Sequence, residues 1–207
     1  MEINLNEIKS KEESLELYSD NYPFSLPLRI SNFENETEYN KFVKNCEKLV
    51  RGSVEYRLWT NYIKDVLGIN ECALTKEINS EATIDIHHQV PSLFILIKAL
   101  VNKKLDKTEI FSTFDIALEA IELHFKNKVG YIPLVSSMHE KLHNGFLKIP
   151  IELVKGDYNY FLNEYSKYLE SEDLDSLQEK LAVSMKDYEY KDWSKDNYPG
   201  LKINASN

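Results

Sequence analysis

Arginine is scarce in this chain. Three arginines, Arg29, Arg51 and Arg57, stand among 207 residues, and 25 basic side chains face 34 acidic ones for a net charge of −9. A uniformly basic surface of the kind that tracks a phosphate backbone is thereby excluded, although a local basic patch is not. The charge is segregated. All three arginines precede residue 60 with Lys41, Lys44, Lys48 and Lys64 around them. Beyond residue 150 the acids gather as Glu170, Glu172, Asp173 and Asp175, and again as Asp187, Glu189, Asp192 and Asp196. Cysteine is scarcer still: Cys46 and Cys72 form no CxxC pair, which excludes a disulfide framework and a thiolate zinc cluster. No apolar run is long enough to cross a membrane, since Ser92–Val101 is short and Lys98 interrupts it. Met1-Glu2-Ile3-Asn4 has neither the basic nor the apolar region of a secretion leader. These absences predict a cytoplasmic protein with free thiols and no membrane partner.

What is present is ordinary globular composition, 43% hydrophobic and 29% charged, with 13 tyrosines and nine phenylalanines to fill a core. Apolar spacing predicts a helix over 37–49, a second one capped by Ser53 and closed by Gly68, and a third following Pro91 and Ser92. A fourth starts at Ser112 or Thr113, a fifth at Ser136 or Ser137, and further helices span 157–170 and 174–188, before a tail ending in Tyr198-Pro199-Gly200. A helix is also expected over 10–18, followed by a turn at Asn21-Tyr22-Pro23 and an extended Phe24-Ser25-Leu26 between two prolines. Short strands are expected at 72–75 and 82–89, joined by a turn at Asn79, with 130–134 extended. The fold class is α+β, predominantly helical. Three regions are expected within one compact domain: a helical 1–68, a central 69–146, and an acidic helical 147–207.

Four of the five histidines fall in two clusters, Ile86-His87-His88-Gln89 and His139-Glu140-Lys141-Leu142-His143-Asn144-Gly145. His139 and His143, four apart, share one helix face, with Cβ atoms roughly 5–6 Å apart. One strand histidine joining them gives three nitrogen ligands for a metal, and leaves the other strand histidine free to take a proton.

The pattern Ile-His-His-x-x-Pro followed by His-x-x-x-His-x-Gly resembles the HNH branch of the ββα-metal nucleases, and especially the DNase domains of nuclease colicins. The stretch over about 70–170, with Val-Gly-Tyr-Ile-Pro-Leu before the second cluster, also resembles phage proteins of the HNH endonuclease kind. The resemblance implies a ββα-metal motif embedded in a helical domain, with helical segments 92–103 and 113–127 inserted between the clusters. It implies His87, His139 and His143 as metal ligands and His88 as the general base of a phosphodiester-cleaving DNA endonuclease. One divalent ion is implied, Zn, Ni, Mn or Mg; three imidazoles favour a transition ion over Mg, which prefers oxygen. The family's middle asparagine would align near Gly130, and Asn127 is the nearest candidate.

Other readings stand beside this one. The four histidines could be core-edge and surface residues, or a closed structural zinc site could recruit His124 or Cys72 as a fourth ligand. His124 also suits a hydrogen-bonded core position on the apolar face of its helix. Arg51, Arg57, Lys141 and Asn144 are candidate DNA contacts, with surface or ion-pair roles as the alternative for the arginines. A second function class is a catalytically weak or inactive protein on the same scaffold, with a structural metal and an acidic C-terminal surface that binds a host or phage protein.

Overall fold

The computed structural model describes residues 33–78 and 82–186, together with the backbone of two paired strands, β1 (Glu13–Ser19) and β2 (Tyr22–Leu28). These strands form an antiparallel hairpin in which Ser19 lies opposite Tyr22. The helix expected over 10–18 is therefore a strand from residue 13 onward. Leu15 and Leu17 alternate with Glu16, the period of a strand rather than a helix. The turn expected at Asn79, the residues after 186 and Arg29 lie outside the described residues.

The rest is predominantly helical, α+β in class, with seven α-helices among the described residues. Helix α1 (Glu36–Gly52) begins where the Asn35 side chain accepts the Glu38 N–H at 3.0 Å, and the Glu38 carboxylate reaches back to the Glu34 N–H. It buries Phe42, Val43, Cys46, Leu49 and Val50. Ser53 caps α2 (Val54–Asn61), which widens into a π turn over Tyr62–Val66 and stops at Gly68 in left-handed conformation.

Strand β3 (Ile84–Val90) pairs antiparallel with β4 (Gly130–Val135), setting His87 opposite Ile132 and His88 opposite Tyr131. The expected strand at 72–75 is instead a tight turn. There the Cys72 N–H bonds Glu77 O and the Ala73 N–H bonds Pro133 O, so the local backbone is satisfied without a strand ladder. Between the two strands run α3 (Leu93–Asp106), capped by Ser92, and α4 (Thr113–Phe125). Ser112 and Asp115 close a reciprocal capping box on α4. Strand β4 passes directly into α5 (Ser136–His143), whose N-cap is Val135, one residue earlier than the expected serine cap. Helices α6 (Tyr158–Tyr165) and α7 (Ser171–Leu181) are the last helices among the described residues.

Two apolar clusters hold these elements. The larger draws on α1, α3 and α4 with Trp59, Tyr131, Phe161 and Leu177. The smaller lies around β3, β4 and α5 and contains Ile84, Ile132, Leu134, Met138, Leu147 and Ile149. Met138 is fully buried there, a contribution of about 1.5–3 kcal/mol. That anchor fixes the rotation of α5, and with it the direction of the histidine that follows.

Candidate metal centre

Side chains on a strand alternate between its faces, and β3 uses both. Ile84, Ile86 and His88 are buried, whereas Asp85 and His87 are only partly so. On α5, His139 and His143 stand one turn apart beside the outer face of β3. The three histidines His87, His139 and His143 converge: each offers a ring nitrogen, and these atoms all lie within 4.8 Å of one another. Ring centroids of His87 lie 4.9 Å from His139 and 5.2 Å from His143. The group could hold a metal ion.

The hydrogen bonds orient the rings for that task. The Asp85 carboxylate lies 3.2 Å from His139 Nδ1 and also accepts the Ser136 hydroxyl at 3.0 Å. With Nδ1 donating to Asp85, the lone pair of His139 is on Nε2, and that atom lies 2.9 Å from Nε2 of His143. Two such nitrogens facing one another need a proton or a cation between them. With metal–nitrogen bonds of about 2.0–2.1 Å, tetrahedral ligands are about 3.3 Å apart, so the pair needs to open by only a few tenths of an ångström. His87 and His143 are also in the right charge state. Burial, then the charges of His139, His143, Lys180 and Arg51, push His87 down to about 3, and burial chiefly lowers His143. Both are neutral ligands at neutral pH.

His88 points the other way, into the larger core, and is 4% exposed. It stacks on Tyr56 and Trp59 with ring centroids 5.8 and 5.7 Å away, and its Nε2 lies 2.6 Å from Nε2 of His124. His124 Nδ1 lies 2.6 Å from the Ala120 carbonyl. A carbonyl only accepts, so His124 carries its proton on Nδ1 and receives one at Nε2 from His88. The His88 nitrogen on that side is therefore a buried donor.

A family profile described as "Bacteriophage G278-like virion protein" matches residues 1–199. The chain belongs to this family. No curated protein and no solved structure matches it.

Membership overturns the nuclease assignment and the enzymatic activity that the histidine clusters suggested, and the host-protein reading built on the same scaffold falls with it. The resemblance rested on two short motifs, whereas the profile spans nearly the whole virion protein. The geometry of His88 agrees: it is neither solvent-facing nor free to accept a proton beside the metal site. A cytoplasmic location gives way to the phage particle, and the partners implied are other phage proteins, with no support for DNA.

The remaining candidates of the virion protein stand outside the three-histidine group. Arg51 pairs with Glu47 at 2.9 Å, and Arg57 is exposed on α2. Lys141 is half-buried on α5, and Asn144 is the exposed C-cap of that helix. Asn127 takes a left-handed conformation after α4, and its carbonyl accepts the Asp157 N–H. It therefore closes a turn rather than bracing His88. Neither His124 nor Cys72 reaches the three histidines. The first is held by His88, and the second is fully buried in the smaller cluster. Asp85 is the residue that sequence reasoning passed over. Its signal was there, two positions before His87 and so on the same strand face.

Proposed function

We propose that the protein is a structural component of the phage particle. In this reading its ββα unit, β3–β4–α5, is stapled by one transition-metal ion on His87, His139 and His143. The observation that carries it is the convergence of three ring nitrogens from a strand and a helix, within 4.8 Å of one another. Asp85 on His139 supplies the carboxylate–histidine brace common behind metal ligands. Three neutral imidazoles favour Zn, Ni or Mn over Mg. A metal there would tie α5 to β3 in addition to the Asp85 contacts with Ser136 and His139, and would stabilise only the folded chain. Such a staple suits a protein that must persist inside an assembled particle.

The same reading keeps the expectation of one compact domain. The larger apolar cluster runs from Phe42 to Leu177 and crosses both expected boundaries, which supports it.

Elemental analysis of the purified protein tests the metal. About one equivalent of a transition ion is expected, lost on dialysis against a chelator together with several degrees of thermal stability. His87→Ala, His139→Ala and His143→Ala should each lower the metal content. Unchanged stoichiometry in all three variants would remove the site.

A further inference from the structure

We propose that the fourth coordination position of this metal centre is kept open for a carboxylate on a neighbouring protein subunit, so that the ion joins two proteins. The inference rests on the three histidines being metal ligands, and it adds the partner chemistry of that site.

Three features lead to it. First, a tetrahedral ion needs four donors, and among the described residues no further histidine, cysteine, aspartate or glutamate joins the group. The nearest carboxylate, Asp85, is engaged at the far nitrogen of His139. Second, the site is graded in exposure. His87 and His139 are half-buried and His143 is exposed, so the unfilled side opens on the surface rather than into the core. Third, two cationic side chains bear on the site electrostatically, beside the single carboxylate of Asp85. Three neutral imidazoles leave the ion its full charge, and Arg51 and Lys180 act on both His87 and His143. Lys180 is held in place by donating to the Gln89 carbonyl at 3.2 Å. An anionic oxygen donor complements that corner.

The choice of a single carboxylate over a nucleic-acid backbone follows from charge. A phosphate track requires many cations in a row. Here two cationic side chains bear on a site within a chain of net charge −9, with Glu47 already paired to Arg51. One carboxylate is attracted by the ion and its two neighbours, whereas a polyanion is repelled by the remainder of the surface. His88, the base expected from the sequence, does not serve reactivity at an open metal position, because it is buried and bonded to His124. A carboxylate arriving at the ion is retained. Since the family is a virion protein, other phage proteins are the available donors.

Cobalt(II) replaces the native ion for the test, because its visible bands report ligand number and type. The full-length cobalt protein is titrated with acetate as the probe, and in parallel with inorganic phosphate and with a short DNA duplex. Acetate should shift the bands saturably, and Arg51→Ala should weaken its binding about twofold to fivefold, the size of a partly exposed charge contact, with cobalt uptake unchanged. Bands that ignore acetate would mean a closed site and overturn the proposal. A response to phosphate or duplex at lower concentration than to acetate would overturn it in favour of nucleic acid. Failure to take up cobalt at all would instead defeat the metal reading on which the proposal rests.

Discussion

His88 donates through Nε2 to Nε2 of His124 across 2.6 Å, and the Nδ1–H of His124 donates in turn to the Ala120 carbonyl. This chain ties β3 to α4 inside the larger core, under Trp59 and Tyr56. It is a polar network with every linking donor satisfied, and its value lies in fixing which face of β3 is inward. Since Asp85 and His87 alternate with His88, the same bond turns them toward α5.

Removing one partner should therefore cost more than removing both. His124→Leu leaves the His88 donor buried without an acceptor and is expected to destabilise the fold by about 1–3 kcal/mol. His88→Phe combined with His124→Leu replaces the network with apolar contacts and should recover part of that loss. Urea midpoints of the two variants and the wild type decide the matter. A double variant less stable than His124→Leu by the full cost of a second independent loss would refute the coupling.

The same pair makes stability depend on pH. Burial lowers His124 to about 4, against about 6.5 in an unfolded chain. Above pH 6.5 the residue is neutral in both states. Between 6.5 and 4 the unfolded chain takes a proton that the folded protein refuses, so stability falls as pH falls through that window. Below 4 the loss from this group is complete, up to about 3 kcal/mol. His124→Asn should flatten the unfolding free energy between pH 6.5 and 4 relative to wild type. Parallel pH curves would exclude His124 as the source.

The convergence of His139 and His143 was legible because residues at a four-residue spacing share one helix face, whatever the fold. The helix starts at Ser53, Ser92 and Ser112 were legible for the same local reason, that a cap is a matter of a few adjacent atoms. The pairing of β3 with β4 was not, since the two are separated by two helices and their ladder depends on non-local packing. The inward turn of His88 was equally hidden. Two adjacent histidines on a strand must face opposite ways, but which one meets the core depends on Trp59, Tyr56 and His124, all distant in sequence. The nuclease reading parts from the structure at that step, because His-His was taken as ligand plus base and the fold makes His88 a buried core hydrogen-bond donor.

Asp85 holds His139 without joining the three ring nitrogens that could bind a metal. Asp85→Asn should weaken metal affinity about 10- to 100-fold, while one equivalent is still bound at saturation, because the three nitrogens remain. The same carboxylate oxygen also accepts the Ser136 hydroxyl at the start of α5, so Ser136→Ala should move affinity in the same direction by less. Competition with a metal-sensing dye measures both. Equal affinity in wild type and Asp85→Asn would leave the Asp85–His139 contact without a role in binding.

Gly156 is expected to be intolerant of any side chain. It takes φ of +86°, and a Cβ built there would collide with the Val129 carbonyl, which is backbone and cannot rotate away. The adjacent Lys155 exchanges both backbone hydrogen bonds with Tyr131 at 3.0 and 2.8 Å, bracing β4. Gly145, at φ +73°, has nothing within 4 Å of its missing Cβ. Gly145→Ala should cost about 1 kcal/mol from the left-handed conformation alone, and Gly156→Ala clearly more. Similar melting temperatures for the two variants would count against the steric argument.

Lys98 and Asp173 meet at 2.6 Å with side chains 11% and 13% exposed, joining α3 to the first turn of α7. Glu170 also reaches Lys98, at 3.2 Å, but its side chain is 68% exposed and the bond is weakened by solvent. Asp173→Ala strips the ammonium of its enclosed partner and should cost about 1–3 kcal/mol. Replacing both groups, Lys98→Met with Asp173→Leu, removes the desolvated charges together and is expected to restore most of the stability, since apolar packing of similar volume replaces a buried pair at little cost. The comparison is made on unfolding free energies of the two single variants and the double variant. If the double variant is as unstable as the sum of the singles, the two residues act separately and the link between α3 and α7 lies elsewhere.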